Sequence, residues 1–157
     1  MPQNNPDTPK PERNICLNRK AKHDYVLGER VEAGLVLVGS EVKSLRAGRA
    51  NLTDSYARIK DGEVFLYNCH ISEYEEASRF NHEPRRVRKL LLHRREIKRL
   101  RGKTIESGLT LIPTRLYFSG GKAKIELAIA TGKRKYEKRY AEKEKEVKRD
   151  LHERYGM

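Results

Sequence analysis

Ser55-Tyr56-Ala57-Arg58-Ile59-Lys60-Asp61-Gly62-Glu63-Val64-Phe65-Leu66-Tyr67-Asn68 reads as two short strands around a two-residue Asp-Gly loop. That dipeptide tolerates the positive φ angles of a type I′ turn, whose twist matches antiparallel strands. A second hairpin is expected at Gly120-Gly121, between Leu109–Phe118 and Lys122–Ala130. In its second arm Ile125, Leu127 and Ile129 share one face, while Lys122, Lys124 and Glu126 share the other. Pro113 lacks a ladder donor, which puts it at an edge or a bulge. Upstream, Val31, Ala33, Leu35 and Leu37 recur with period two, the mark of a strand buried on one face. Ser40 to Gly48 reads as a short helix with Ser40 as cap, Val42 and Leu45 as its buried stripe and Gly48 as its end. Val87–Leu92 reads as a strand, and His93–Arg101 as a helix stopped by Gly102 with Ile97 and Leu100 as its apolar pair. Five or six strands with two or three short helices make the chain mainly β, closed as a small antiparallel barrel.

The ends differ from this body. Residues 1–12 hold four of the six prolines and too little apolar surface to offset chain entropy, so a disordered lead is expected. Residues 133–157 carry ten Lys/Arg against six Asp/Glu, with Val147, Leu151 and Tyr155 as sparse apolar groups. An isolated helix of such length is marginal in water, so the tail is expected to order only on a polyanionic partner. The division is a lead at 1–12, a β-barrel body at 13–132 and a basic tail at 133–157.

Charge decides the class of partner. The chain of 157 residues has 35 Lys/Arg against 22 Asp/Glu, a net +13. Arg79 to Lys103 alone holds eleven Lys/Arg and two Glu. Like charges at that density repel unless an anion neutralises them. Arg85, Arg86, Arg88, Lys89, Arg94, Arg95, Lys98, Arg99 and Arg101 are therefore read as facing a phosphate backbone, with RNA favoured by the barrel. There is no apolar run of membrane length and no secretory h-region. Two cysteines, Cys16 and Cys69, make no disulfide framework, which fits a reduced, cytoplasmic setting with both thiols as small core groups.

Enzyme signatures are missing. No Walker loop, HExxH, CxxC or G-x-S-x-G occurs. Glu32, Asp54 and Asp61 are too scattered to assemble a nuclease metal site, and no cofactor is expected. His23-Asp24 reads as a surface dipeptide whose side chains point apart. Glu32 stands opposite the core row beside Arg30. It is either a surface salt bridge or an acceptor for base amino groups, or an anchor orienting an arginine. Leu91 faces away from Leu90 and Leu92, and either packs on a ribose or base or supports a second layer. Tyr136 and Tyr140 among cations suit stacking on bases.

Asn18-Arg19-Lys20-Ala21-Lys22-His23-Asp24-Tyr25, Glu32-Ala33-Gly34 and Gly39-Ser40-Glu41-Val42-Lys43-Ser44-Leu45-Arg46-Ala47-Gly48 closely resemble the SsrA-binding protein (SmpB) family. So do Asp61-Gly62-Glu63, Arg88-Lys89-Leu90-Leu91-Leu92 and Gly132-Lys133-Arg134-Lys135-Tyr136-Glu137-Lys138-Arg139. The resemblance implies an oligonucleotide-binding (OB-fold-like) barrel and a non-enzymatic adaptor in bacterial trans-translation. It implies binding to the tRNA-like domain of transfer-messenger RNA and delivery to stalled 70S ribosomes. Elongation factor Tu and alanyl-tRNA synthetase would be met only indirectly, through the RNA, by a monomer with no membrane contact. The family's RNA-binding positions fall on Asn18, Glu32, Leu91 and Lys124, with Arg19, Lys20, Lys43 and Arg46 as basic neighbours. Tail function in the decoding centre and mRNA path falls on Gly132, Lys133, Arg134, Tyr136, Glu137, Lys138 and Arg139, with His23 at the decoding bases. Glu137 departs from the family's usual Asp. A general RNA-binding or ribosome-associated structural protein with the same barrel is the alternative, and an RNA-processing enzyme a more distant one.

Overall fold

The Asp61-Gly62 turn forms as read, with positive φ at both residues and Tyr56–Lys60 paired against Glu63–Tyr67 from Tyr56↔Tyr67 to Lys60↔Glu63. The computed structural model describes residues 11–106 and 108–133, together with Lys145, Glu146 and Arg149. In chain order the elements are β1 (Glu12–Leu17), α1 (Arg19–Asp24), β2 (Tyr25–Leu35), α2 (Gly39–Arg46), β3 (Ala50–Asn51), β4 (Tyr56–Lys60), β5 (Glu63–Tyr67) and β6 (His70–Ile71). A 3-10 turn (Glu75–Phe80), β7 (Arg88–Leu91), α3 (Arg94–Glu106), β8 (Thr110–Ser119) and β9 (Lys122–Gly132) complete them. Strand β1 takes in Glu12, which pairs with Ser119. Lys145, Glu146 and Arg149 are helical and exposed. The expectations for Arg134, Tyr136, Glu137, Lys138, Arg139 and Tyr140, and for Val147, Leu151 and Tyr155, lie outside the described residues.

Six strands close into a ring, β8–β4–β5–β7–β2–β9 and back to β8, all antiparallel. Closure leaves the ring without an unpaired edge. Strand β1 lies outside it, on β8, and β3–β6 form a separate ribbon. Strand β8 can serve three partners because its register shifts between Pro113 and Arg115. Before the bulge it meets β4 at Leu111; beyond it, from Arg115 to Ser119, it meets β1. Pro113 thus sits at a bulge, as its missing N–H requires. Leu45, Leu52, Val64, Leu66, Leu116, Ile125 and Leu127 fill the interior with no exposed surface. Cys69 is buried in the same cluster and Cys16 packs against it, and burial pushes their thiols up to about 12 and about 11.

Two helix expectations are corrected. Helix α2 starts at Gly39 with Val38 as its cap, so Ser40 lies inside the helix. Its hydroxyl is 2.8 Å from His82 Nδ1. The buried face is Ser40, Glu41, Ser44 and Leu45, with Val42 only half-buried. The helix is turned inward on Glu41 because that carboxylate has a partner inside. Helix α3 runs through Gly102 to Glu106. Gly102 has no positive φ, and a Cβ there meets nothing within 4 Å. Replacing Gly102 by Ala should therefore raise stability by about 1 kcal/mol, read as a higher urea midpoint with unchanged slope.

The Glu41 partner overturns another expectation. Arg88, read as a phosphate ligand, is wholly buried. Its Nε donates to Glu41 Oε2, Nη1 to the Cys69 carbonyl at 2.6 Å and Nη2 to the Pro84 carbonyl at 3.0 Å. Arg86 Nη2 reaches Glu41 Oε1 at 2.5 Å, and the Val38 N–H donates to the same oxygen at 3.0 Å. Burial alone would raise the Glu41 pKa, but these hydrogen bonds and the Arg88 charge outweigh it and hold the carboxyl below its ordinary value. A depressed folded-state value adds stability above the ordinary Glu range, near ~4.3. That stability is lost as pH falls through the folded value. Glu41→Gln should cost about 3–5 kcal/mol, because two permanent guanidinium charges lose their counter-ion, and should flatten the acid limb of a stability–pH curve measured by urea unfolding.

Candidate nucleic-acid interface

The ladder registers assemble one outward row across four strands. Leu91 on β7 faces Gly34 on β2, Gly34 faces Lys124 on β9, and Lys124 faces Tyr117 on β8. Glu32 lies two residues before Gly34 on the same outer side of β2. The absent side chain at Gly34 lets its neighbours converge: a Cβ there would lie 3.4 Å from Leu91 Cβ and 3.8 Å from Lys124 Nζ. Leu91 is 53% exposed, so of its two readings the second-layer one is set aside. Strand alternation turns Leu90 inward and leaves Leu91 bare.

Glu32 is positioned by its neighbours. The Tyr117 hydroxyl donates to Glu32 Oε2, and Lys124 Nζ stands 3.9 Å from Oε1. About half of the Glu32 side chain stays open to solvent. Burial and then the adjoining carboxylate push the Tyr117 phenol well above its ordinary range, so it remains a donor. The Arg115 guanidinium lies 4.0 Å over the Tyr117 ring and donates at 3.0 Å each to Glu126, Glu12 and Asn14. Arg30, beside Glu32 in sequence, goes instead to Glu126 at 3.9 Å, so the arginine-anchor reading of Glu32 does not hold. Tyr117, Arg115 and Glu126 support the site without having been singled out. Their signal was the 180° alternation that puts Tyr117 and Arg115 on the polar side of β8.

Helix α1, which carries the first quoted motif, is an element that strand periodicity did not suggest. Asn18 is its cap: Oδ1 accepts from the Ala21 N–H at 3.2 Å, and Nδ2 donates to the Pro113 carbonyl at 2.8 Å. Asn18 N–H donates to the Thr114 carbonyl. The residue is 4% exposed, which leaves it buried where a direct RNA contact needs it open. It fastens α1 to the β8 bulge and so places Arg19 and Lys20, both exposed. Lys20 pairs with Asp54 at 2.8 Å. At the other end His23 Nδ1 lies 2.9 Å from Asp24 Oδ1, so this pair points together rather than apart. Gly132 faces Tyr25, and Lys133 donates to the Asp24 carbonyl at 2.9 Å and to the Lys22 carbonyl at 3.0 Å. His23, Gly132 and Lys133 thus meet at the C-terminal end of α1.

Lys43 and Arg46 are exposed on α2, away from its buried face, and Lys43 Nζ lies 5.4 Å from the Tyr74 ring centroid. No register joins them to the Leu91–Lys124 row. The basic run of 79–103 is less uniform than its composition suggests. Arg86 and Arg88 serve Glu41, Lys89 pairs with Glu63 at 2.9 Å, and Arg99 and Lys103 both pair with Glu29. Among the described residues no group of three His, Cys, Asp or Glu is arranged to hold a metal.

The family model described as SmpB protein matches residues 15–156. The chain belongs to the SmpB family. The SsrA-binding protein of Syntrophobacter fumaroxidans is 62% identical over 151 residues, covering 96% of this chain and 94% of that protein. The SsrA-binding protein of Symbiobacterium thermophilum is 64% identical over 138 residues, with 87% of each chain covered. A solved structure described as "tmRNA-SmpB: a journey to the center of the bacterial ribosome" superposes with a TM-score of 0.64 at 50% identity, covering 82% of this chain and 87% of that one. In this SmpB-family member most of the Gly39–Gly48 motif, from Gly39 to Arg46, is the helix that carries Glu41 inward. Its contribution is to the scaffold as well as to the surface.

If Tyr117 fixes the Glu32 carboxylate, Tyr117→Phe should leave the melting temperature within a few degrees of the parent. It should weaken RNA binding several-fold, the ~1 kcal/mol of one hydrogen bond. Fluorescence anisotropy with labelled RNA measures this.

Proposed function

We propose that this chain is the RNA-binding adaptor of bacterial trans-translation. It binds the tRNA-like domain of transfer-messenger RNA and brings it to the stalled ribosome. The observation that carries the reading is the juxtaposition of an exposed leucine, a lysine and a Tyr-held carboxylate on one rigid strand row. Leu91 offers apolar contact to a ribose or base, Lys124 a phosphate contact and Glu32 an acceptor for base amino groups. Arg19, Lys20, Lys43 and Arg46 add phosphate contacts, and Asn18 acts by positioning α1. The chain needs no catalytic group for this, since acyl and peptidyl transfer belong to other machinery.

The residues that follow Gly132 serve the ribosome side, with His23 and Lys133 at their point of departure on α1. Arg134, Tyr136, Glu137, Lys138 and Arg139 would act in the decoding centre. Among the described residues no helix is long and apolar enough to cross a membrane, and the reading places the protein with ribosomes in the cytoplasm.

Titration of the full chain against the tRNA-like domain tests this. Leu91→Asp and Glu32→Arg should each weaken binding at least about tenfold, roughly 1.4 kcal/mol, with an unchanged circular dichroism spectrum. Unaltered affinity in both would refute the assignment of this face. Truncation after Gly132 should leave RNA affinity intact and abolish tagging on stalled ribosomes in a reconstituted assay.

A further inference from the structure

A second surface, three strands away around the ring, has the chemistry of single-stranded RNA binding. Strand β4 stands opposite β2 in the order β8–β4–β5–β7–β2–β9, and so across the barrel from Glu32. Between β4, α1 and the C-terminal half of α3 lies a cleft of about 660 Å³, a volume suited to a nucleotide-sized ligand. Tyr56 lines it, its ring stacked on Tyr67 with centroids 5.3 Å apart and planes 10° from parallel. The Arg58 guanidinium lies 5.3 Å from the Tyr56 ring. Asp24, Asp54 and Asp61 also line the cleft beside Lys20, Arg58 and Arg101. The mixture does not favour a phosphate inside, and it does offer both donors and acceptors to the edge of a base.

The phosphates have a place just outside. On α3, Arg99 and Lys103 turn to Glu29 of β2. Arg94, Lys98 and Arg101 are exposed, and none of them makes an ion pair with the described residues. They recur at i, i+4 and i+7, one stripe of a helix, spanning about 10 Å. Cations so placed repel one another by a few tenths of a kcal/mol per pair, which a nucleic-acid strand would relieve. Arg101 belongs to both features: it ends the stripe and lines the cleft.

We propose that α3 and this cleft form a second RNA surface that takes a single-stranded segment, with the backbone along Arg94, Lys98 and Arg101 and one base against Tyr56. The surface is separate from the Glu32–Leu91–Lys124 row and does not rest on the adaptor reading.

The test uses the full chain and two probes: a uridine decanucleotide with a thiouridine at its centre, and the tRNA-like domain. The variants are Arg94→Gln/Lys98→Gln/Arg101→Gln together, Tyr56→Leu, and Leu91→Asp. The triple variant should bind the decanucleotide at least about tenfold more weakly, with a log–log salt slope shallower by about two. Tyr56→Leu should lose about tenfold through stacking. Leu91→Asp should bind the decanucleotide as the parent does. Photo-crosslinks should fall within 54–62 and 94–105. Crosslinks confined to the Leu91–Lys124 row or to residues beyond Lys133, or parental decanucleotide affinity in the triple variant, would overturn the proposal. The triple variant alters only exposed groups, so it decides the matter even if Tyr56→Leu does not fold. Should Leu91→Asp bind the tRNA-like domain normally, the contact assigned to Leu91 fails while the decanucleotide result stands.

Discussion

One buried carboxylate organises this molecule. Glu41 leaves the helix surface to meet Arg86 and Arg88, and Arg88 in turn holds the carbonyls of Cys69 and Pro84. Helix α2, the start of β7 and the segments around residues 69 and 84 are therefore fastened at one point. A buried ion pair is not a large net gain, since desolvation offsets much of the attraction, but removing one member is costly. Its value here is geometric. It sets the rotation of α2, and with it the outward placement of Lys43 and Arg46. It also anchors Arg88 at the head of the strand that presents Leu91.

A second chain of polar contacts performs the same task for the outer face. Asn18 grips the carbonyl of Pro113, Thr114 donates to Glu126, Glu126 holds Arg115, Arg115 covers Tyr117, and Tyr117 holds Glu32. The proline bulge is the hub. By shifting register there, β8 brings the loop of α1 and the polar row of β9 into hydrogen-bonding range. The charged groups of this face are fixed by neighbours rather than free to search, which is what recognition of a shaped RNA surface asks of them.

Much of this was legible because strands and tight turns leave local marks. Asp61-Gly62 and Gly120-Gly121 determine their own backbone, and the alternation of Ile125, Leu127 and Ile129 determines a face. Leu91 could be singled out from Leu90-Leu91-Leu92 by parity alone. What could not be read depends on contacts far apart in the chain. Arg88 is indistinguishable from Arg85 or Arg94 in a basic run until Glu41, 47 residues away, is seen beside it. Asn18 looks like a surface amide until the Pro113 carbonyl, 95 residues on, is found beneath it. Helix α1 has one apolar residue, Ala21, so periodicity had nothing to detect. Gly102 misled for the opposite reason: a residue that often ends helices was outweighed by Ile97 and Leu100, which pack against the core.

The barrel closes through β8 and β9 without a free margin, and this has a consequence for how binding must proceed. A ring whose strands all have partners on both sides, with β1 already laid along the outer stretch of β8, has little room to flatten or open to mould itself to a ligand. Adjustment at that surface must come from the nucleic acid, whose own stiffness then becomes part of the selection.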